Sequence, residues 1–299
     1  MILIVGASGC LGSAVSRRLL ARRLPVRVAS RRPASLAGLR ACGAEVRLLD
    51  LAREDMLTPA CEGVTTVFAA AHALLGRGAH RSEVVDRDGH LALIEAARAA
   101  GVRRFVYTSV LRASPDHPVD FWRTKSLVEQ ALKSSGMEFT ILRPSAFMDI
   151  HAHRLIGRAI LTGRRVQLMG PGTKRRNFVA VDDVAGFAIR AITGDELTGR
   201  ALDIGGPENH SSLEVASVYG ELSGRPVRVS RLPTWLLRTL APVCASLHPG
   251  LARLFAMHAL ADEAFDETFD PTALLAEFPG RLTTLREFVG AQVVRAPTH

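Results

Sequence analysis

The sequence predicts an α/β fold built on a doubly wound parallel sheet, with a smaller C-terminal lobe. Short hydrophobic runs alternate with amphipathic stretches over the first half of the chain, which is the pattern of parallel strands joined by crossover helices. A glycine-rich turn follows the first run directly. We therefore expect a core domain over residues 1–150 and a second lobe over 151–299, partly interleaved with the core.

Six segments have the length and apolar content of strands buried on both faces. They are Ile2–Val5, Pro25–Ser30, Glu45–Leu49, Thr65–Ala71, Arg104–Thr108 and Glu138–Leu142. Helical stretches follow the first, fourth and fifth of them, at Leu11–Arg23, His80–Ala100 and Val119–Ser135. After residue 150 the alternation weakens, because glycines and prolines separate shorter elements.

The composition argues against several classes of protein. The net charge of +9 comes almost entirely from scattered arginines, and no nucleic-acid-binding motif accompanies it, so we expect no nucleic-acid partner. The four cysteines lack CxxC spacing, which argues against a zinc site or a disulfide framework. No apolar run reaches the roughly 20 residues of a membrane span, and the N-terminus has the pattern of a strand rather than a signal peptide, so a cytoplasmic location is expected.

The turn after the first strand reads Gly6-Ala7-Ser8-Gly9-Cys10-Leu11-Gly12. In such a turn the first glycine permits a tight bend, the second lets the backbone approach a pyrophosphate, and the third allows close packing of the following helix. The N-terminus of that helix attracts negative charge. Because the turn lies between a strand and an amphipathic helix, it predicts a Rossmann-type dinucleotide site. The expected contacts come from Gly6, Ser8, Gly9, Cys10, Leu11 and Gly12.

The end of the second strand indicates which nicotinamide cofactor is preferred. An NAD site usually has a carboxylate here for the ribose hydroxyls, whereas arginine accommodates a 2′-phosphate. This chain has Arg31 and Arg32 and no carboxylate, and a guanidinium can donate two hydrogen bonds to one phosphate. We expect NADP(H) to be preferred over NAD(H), although two solvated loop arginines are the alternative.

Two further strand ends supply candidate cofactor contacts. Asp50, next to Leu51, either accepts a hydrogen bond from the adenine amino group or caps the following helix. Ala70 and Ala71 are small enough for a cofactor to lie close to their backbone. His72 then falls at the carboxyl edge of the sheet, where ligands of open α/β folds bind, and it is either a substrate contact or a surface residue.

Several segments together resemble the atypical short-chain dehydrogenase/reductases. They are the glycine turn, Ser30-Arg31-Arg32-Pro33, Phe105-Val106-Tyr107-Thr108-Ser109, Leu142-Arg143-Pro144-Ser145 and Val181-Asp182-Asp183-Val184-Ala185. Within that group the chain looks like the NmrA-like and isoflavone-reductase-like proteins and the related subunit of respiratory complex I. The resemblance covers roughly residues 1–230 and is more specific for a fold than for a reaction.

The resemblance also implies roles for individual residues. Where the wider superfamily has a catalytic Tyr-x-x-x-Lys pair, this chain has Phe121 and Lys125, so the phenol is absent. Lys125 is then either the general acid or base, as in isoflavone-reductase-like enzymes, or an exposed helix charge. Ser109 either polarises a substrate carbonyl or caps a helix. Cofactor contacts near the nicotinamide are implied for Thr108, Lys125, Pro144, Ser145 and Phe147.

Three features beyond residue 148 have competing interpretations. Asp182 and Asp183 are interpreted as N-cap carboxylates of a helix that starts at Val184. Asp149, His151 and His153 suggest a metal site, but residues two apart on a helix face different directions, so no metal is expected. The apolar segment 232–257 is either a membrane-surface helix, a partner groove, or a substrate lid that its prolines break into short pieces.

Two functions from different classes remain. The first is a reductase that transfers hydride from NADPH to a carbonyl or conjugated alkene of a hydrophobic small molecule. The second is a regulator or scaffold protein that binds NADP(H) without turnover. The missing tyrosine favours the second function, whereas Lys125 and the apolar lobe favour the reductase, which is our expectation.

Overall fold

The computed structural model describes residues 1–264 and 266–296 and contains two compact units. The first unit comprises Met1–Arg143 and Val184–Asp203, and the second comprises Pro144–Asp183 and the residues from Ile204 onward. Each unit therefore includes two separate stretches of the chain.

The described residues form the following strands: β1 (Ile2–Val5), β2 (Val26–Ser30), β3 (Glu45–Leu48), β4 (Thr66–Ala69), β5 (Arg104–Thr108), β6 (Glu138–Pro144), β7 (Ala146–Phe147), β8 (Val166–Met169), β9 (Arg175–Val179), β10 (Arg200–Ile204), β11 (Asn209–Ser211) and β12 (Val229–Leu232).

The helices are α1 (Cys10–Ala21), α2 (Ala37–Ala41), α3 (Leu57–Cys61), α4 (Gly89–Ala99), α5 (Asp120–Lys133), α6 (Arg158–Leu161), α7 (Val181–Thr193), α8 (Ser212–Ser223), α9 (Thr234–Ala245), α10 (Pro249–Ala264), α11 (Thr272–Glu277) and α12 (Leu285–Arg295). Short 3₁₀ turns occupy Pro33–Leu36, Glu54–Met56 and Gly78–His80, and wider π-type turns occupy Glu83–Asp88 and Met148–Gly157.

The first unit is built on one sheet with the strand order β10-β6-β5-β4-β1-β2-β3. Strands β1 to β6 are parallel, and β1 lies between β2 and β4, where the order of connections reverses. This reversal creates the crevice in which open α/β sheets bind ligands. The predicted fold class and all six predicted strands are confirmed, with ends that differ by a few residues.

The three predicted helices are also confirmed. They correspond to α1, α5, and α4 together with the π-type turn that precedes it. The core of this unit is formed by fully buried strand residues such as Leu3, Val67 and Phe105, against which α4 and α5 pack Leu93 and Val128. The packing of these helices against the sheet fixes the strand ends that carry the candidate site.

The second unit contains two small sheets, in the orders β11-β9-β7 and β12-β8. Its core includes Met148, Phe178, Val215, Tyr219 and Val289. A capping box starts α8, and a left-handed glycine ends it, which are the usual signals of helix termini.

The N-terminus of α7 corrects one prediction. The helix begins at Val181, so Asp182 and Asp183 lie in its first turn and are not its N-cap. Instead, Asp149 Oδ2 accepts a hydrogen bond of 3.1 Å from the Val181 amide. Asp183 accepts hydrogen bonds from the backbone and hydroxyl of Thr283, at 2.9 and 3.0 Å.

The apolar segment 232–257 lies mainly in α9 and α10. Pro233 is the N-cap of α9 and Pro249 is the first residue of α10, so these two prolines divide the segment as predicted. Pro242 lies inside α9 and does not break it, so that part of the prediction is wrong. Within the part of the chain that the structure describes, no helix is both long enough and apolar enough to cross a membrane.

Candidate functional site

The glycine turn has the geometry that its sequence predicts. Gly6 has a φ of +90°, and a Cβ atom there would lie 2.6 Å from the Ala71 amide nitrogen. A Cβ atom on Gly12 would lie 2.3 Å from the Gly6 carbonyl oxygen. Both positions therefore require glycine because backbone approaches them closely. Gly9 is different, since its Cβ would meet only the Gly6 carbonyl oxygen, at 3.3 Å.

Gly9 is exposed and is the N-cap of α1. No side chain caps this end of the helix, and its first turn carries no carboxylate, so the partial positive charge of the helix terminus is not offset locally. Ser8 is exposed beside it, whereas the Leu11 side chain is buried in the core and leaves only its backbone for a ligand. A pyrophosphate fits this arrangement, because Gly9 presents backbone without a side chain at a positive helix end.

The end of β2 lies beside the glycine turn. The hydroxyls of Ser8 and Ser30 are 3.5 Å apart, and Arg31 and Arg32 follow with exposed side chains. The turn and the predicted 2′-phosphate residues are therefore neighbours. Hydroxyl and guanidinium donors in one exposed group suit a phosphate monoester.

Asp50 has local partners that the sequence did not indicate. Its carboxylate bonds with His80 Nε2 at 2.8 Å and accepts from the Ala52 amide at 3.0 Å. Burial alone would raise the pKa of Asp50, but these hydrogen bonds and the charges of His80 and Arg31 lower it overall. The alternative of a helix cap is wrong, because the next helical turn has Arg53 as its N-cap. The Leu51 side chain lies in the core.

The end of β4 brings small residues against the glycine turn. A Cβ atom on Gly6 would lie within 2.9 Å of backbone atoms of both Ala70 and Ala71. His72, the next residue, has an exposed side chain. Desolvation by surrounding protein atoms lowers the pKa of its imidazole, the nearby Asp86 charge opposes this, and the Lys125 charge adds to it.

Lys125 is buried inside the first unit, with only 3% of its surface exposed. The interpretation of Lys125 as an exposed helix charge is therefore wrong. Its Nζ donates a 3.1 Å hydrogen bond to the Thr108 carbonyl and lies 4.8 Å from the ring centroid of Tyr107 and 5.6 Å from that of Phe121. Burial lowers the pKa of this amine, and the charges of Asp86 and Glu129 partly oppose the shift.

These two carboxylates were not found from the sequence. Asp86 is fully buried and accepts hydrogen bonds from the Ala73 amide at 2.9 Å and from the Ser82 hydroxyl at 2.5 Å. Asp86 thereby ties the loop after β4 to the turn that precedes α4. Glu129 is buried and forms an ion pair with Arg143. A signal was present, because Asp86 and Glu129 both fall on the apolar faces of predicted helices.

The end of β5 carries two buried hydroxyl groups. The side-chain oxygens of Thr108 and Ser109 are buried and accept or donate no hydrogen bond among the described residues. No helix starts at Ser109, so the capping alternative is wrong. A buried hydroxyl without a partner costs free energy, and both residues adjoin Lys125 through the Thr108 carbonyl. A polar ligand group at this strand end would satisfy them.

Tyr107 does not replace the missing phenol. It is fully buried, and its ring meets the His90 ring edge-on, with centroids 5.4 Å apart. Burial, with nearby Asp86 and Glu129, raises the pKa of Tyr107 well above its usual value. The phenol thus lies in the core and is a poor acid.

The remaining predicted contacts lie in the second unit. Pro144 is the last residue of β6, and Phe147 ends β7. The Ser145 hydroxyl donates to Asn177 Oδ1 at 2.7 Å. Their contact with the nicotinamide stays a prediction. Within the described residues, no three His, Cys, Asp or Glu side chains are grouped as metal ligands, and His153 bonds with the Tyr219 hydroxyl at 3.0 Å.

A surface cavity of about 420 Å³ in the first unit is separate from this site. It is lined by residues such as Arg18 of α1, Arg22 at the C-cap of α1, and Gly186 and Arg190 of α7. Arg18 and Arg22 lie at the C-terminal end of α1, whereas Gly9 precedes its N-terminus. We place the candidate site at the strand ends because that is where the glycine turn, Lys125 and the buried hydroxyls are found.

The comparison with known proteins agrees with this geometry. A family model described as NAD(P)H-binding matches residues 6–195. The chain belongs to this family. The resemblance to atypical short-chain dehydrogenase/reductases is thereby confirmed.

Two relatives and one solved structure illustrate the range of the family. The chain is 31% identical over 228 residues to an NAD(P)H azoreductase of Xenophilus azovorans, covering 76% of each chain. It is 29% identical over 238 residues to the photosystem II assembly factor Ycf39 of Guillardia theta, covering 79% of this chain and 74% of that one. The structure of an NADPH-dependent quinone oxidoreductase from Escherichia coli, solved with NADPH, has a TM-score of 0.75 and 27% identity, covering 98% of this chain and 99% of the other.

Proposed function

We propose that this member of the NAD(P)H-binding family is an NADPH-dependent reductase that acts on hydrophobic small molecules with a conjugated carbonyl, such as quinones. The single observation that carries the proposal is the burial of Lys125 against the Thr108 carbonyl, at the strand end where the hydroxyls of Thr108 and Ser109 are buried without hydrogen-bond partners among the described residues. A family relative named as an azoreductase and a structural neighbour named as a quinone oxidoreductase support a reductive reaction on conjugated acceptors.

The proposed cofactor contacts follow the same strand ends. The glycine turn and the N-terminus of α1 would hold the pyrophosphate, with Ser30, Arg31 and Arg32 at the 2′-phosphate. Lys125 and Thr108 would lie at the nicotinamide ribose. Preference for NADP(H) over NAD(H) rests on the two exposed guanidiniums and on the absence of a carboxylate at the end of β2.

In the proposed reaction, bound NADPH supplies a hydride to the acceptor. The Lys125 ammonium then provides the proton that neutralises the developing oxyanion, directly or through a water, and Ser109 donates a hydrogen bond to the same oxygen. Burial helps this role, because an amine with a lowered pKa releases its proton more readily. The charges of Asp86 and Glu129 oppose this shift and favour the protonated amine.

A second candidate function is an assembly or regulatory protein that binds NADP(H) without turnover. The similarity to Ycf39, which is named as an assembly factor, favours it, as does the replacement of the expected phenol by Phe121. Both candidates require the cofactor site, so binding alone does not separate them. The cytoplasmic location expected from the sequence stays a prediction.

Turnover separates the two functions. The purified full-length protein is first tested for bound nucleotide and for its affinity for NADPH and NADH. NADPH oxidation is then followed with a panel of quinones, enones, azo dyes and aromatic ketones, in air and without oxygen. Acceptor-dependent oxidation above the background without enzyme supports the reductase. Tight NADPH binding without turnover on any member supports the second candidate.

A further inference from the structure

The outer face of α9 exposes large apolar side chains that the fold does not use. Trp235 is 65% exposed and Val243 is 66% exposed, and Leu247, just beyond the helix, is 82% exposed. The spacing of eight residues places Trp235 and Val243 on one side of α9, and Leu247 follows its C-terminus. The opposite side supplies the core, since Leu237 is fully buried. This outer face therefore exposes apolar surface that folding leaves uncovered.

The segment that contains this face is net basic. From Arg225 to Ala264 the sequence contains five arginines and two carboxylates, Asp262 and Glu263. Arg228 and Arg231 have exposed side chains, and Arg231 donates to the backbone carbonyl of Pro171. A surface that combines exposed tryptophan and aliphatic groups with arginines is complementary to an anionic, partly apolar partner.

We propose that the outer face of α9 docks on the surface of a bilayer that contains anionic lipids. Trp235, Val243 and Leu247 would enter the interfacial region, and the arginines would lie at the level of the headgroup phosphates. Tryptophan suits this depth, because its ring is apolar and its N–H is polar. The helix would lie in the plane of the interface and would not cross it.

Size and charge favour a lipid surface over another protein. A stable protein interface takes about 20–30 residues from each partner, many more than one side of a 12-residue helix provides. A second copy of this chain would also bring arginines against arginines, which is unfavourable. A bilayer does not require a large interface, because each inserted side chain contributes separately to binding. Its anionic headgroups also neutralise the charge of the arginines.

The test is flotation of the full-length protein with vesicles of phosphatidylcholine alone or of phosphatidylcholine with phosphatidylglycerol. We expect binding to the anionic vesicles that weakens as salt is raised. The pair Trp235→Ser and Leu247→Ser together should weaken it about tenfold or more. Arg228→Glu with Arg231→Glu should remove the dependence on anionic lipid. Val294→Ser is the matched control, because Val294 is 84% exposed but lies on α12.

Several outcomes would overturn the docking proposal. These are no binding to either kind of vesicle, equal binding to both, or equal loss in the Val294→Ser control. Concentration-dependent dimers in light scattering that the Trp235 and Leu247 changes abolish would instead assign the face to a second copy. NADPH affinity is measured on the same variants and should not change, so this test succeeds or fails independently of the proposed reductase function.

Discussion

A carboxylate placed at Gly9 should separate cofactor binding from folding. Gly9 is the uncapped N-cap of α1, and Asp is among the preferred residues at this position. Gly9→Asp would therefore stabilise the helix by about 0.5–1 kcal/mol through capping and the helix dipole. The close approach of the new Cβ to the Gly6 carbonyl, at 3.3 Å, offsets part of this gain, so the melting temperature should stay the same or rise slightly.

The same change should remove NADPH binding. The new carboxylate would accept hydrogen bonds from the helix N–H groups that we assign to the pyrophosphate, and would add charge repulsion. Loss of one charge-assisted contact costs about 1.5–3 kcal/mol, or roughly 10- to 150-fold in Kd, and the repulsion adds to this. The assay is calorimetric titration with NADPH, beside a thermal unfolding curve of each protein.

Gly12→Ala is the matched comparison. Its Cβ would lie 2.3 Å from the Gly6 carbonyl oxygen and 2.8 Å from the Gly6 carbonyl carbon, so backbone must move. Overpacking of this kind lowers the free energy of unfolding by about 1–3 kcal/mol, and the better helix propensity of alanine offsets up to about 1 kcal/mol of this loss. We expect a melting temperature several degrees lower. Undiminished NADPH affinity in Gly9→Asp, or an unchanged melting temperature in Gly12→Ala, would refute this description of the turn.

Three further predictions follow from the site. Replacing Arg31 and Arg32 together by Ala should weaken NADPH binding by roughly 10- to 150-fold and leave NADH affinity nearly unchanged, as measured by calorimetry. Equal affinities for NADPH and NADH in the unchanged protein would contradict the assignment. Asp86→Asn should lower the pKa of Lys125, so the basic limb of the kcat profile should move to lower pH, and an unmoved limb would exclude electrostatic coupling. Burial lowers the pKa of His90 to about 4, so the unfolded chain binds one more proton than the folded protein as the pH falls below about 6.5. The free energy of unfolding should therefore decrease by up to about 3 kcal/mol between pH 6.5 and 4. His90→Gln should flatten this part of the pH profile measured by urea unfolding.

The sheet was predictable because its strands are buried on both faces. The β1 sequence Ile2–Val5 is apolar throughout and is buried throughout. A strand of this kind can be recognised without an alternation of polar and apolar residues. Strand β10, with the sequence Arg200–Ile204, was missed. It lies at the edge of the sheet, and its exposed positions alternate with buried ones in a short segment that contains charge.

The candidate site was predictable only in part. The roles of Gly6 and Gly12 could be predicted, because the motif itself specifies the close backbone approach that requires glycine at both positions. Burial of Lys125 has no local cause, because it depends on how α5 packs against β5. The same holds for Asp86, whose partners Ala73 and Ser82 lie on the loop after β4 and on the turn that precedes α4. Pairings that depend on tertiary packing leave only a weak signal, here a polar residue on an apolar helix face.

The most direct test of the central claim is the turnover rate of Lys125→Met with an acceptor validated on the unchanged protein. Methionine keeps most of the buried volume and removes the ammonium, and Lys133→Met is the control, because Lys133 is an exposed residue of the same helix. If Lys125 is the proton donor, kcat should fall by about 100-fold or more, with a modest loss of NADPH affinity and no change in the control. Full turnover in Lys125→Met would show that the proton comes from another group.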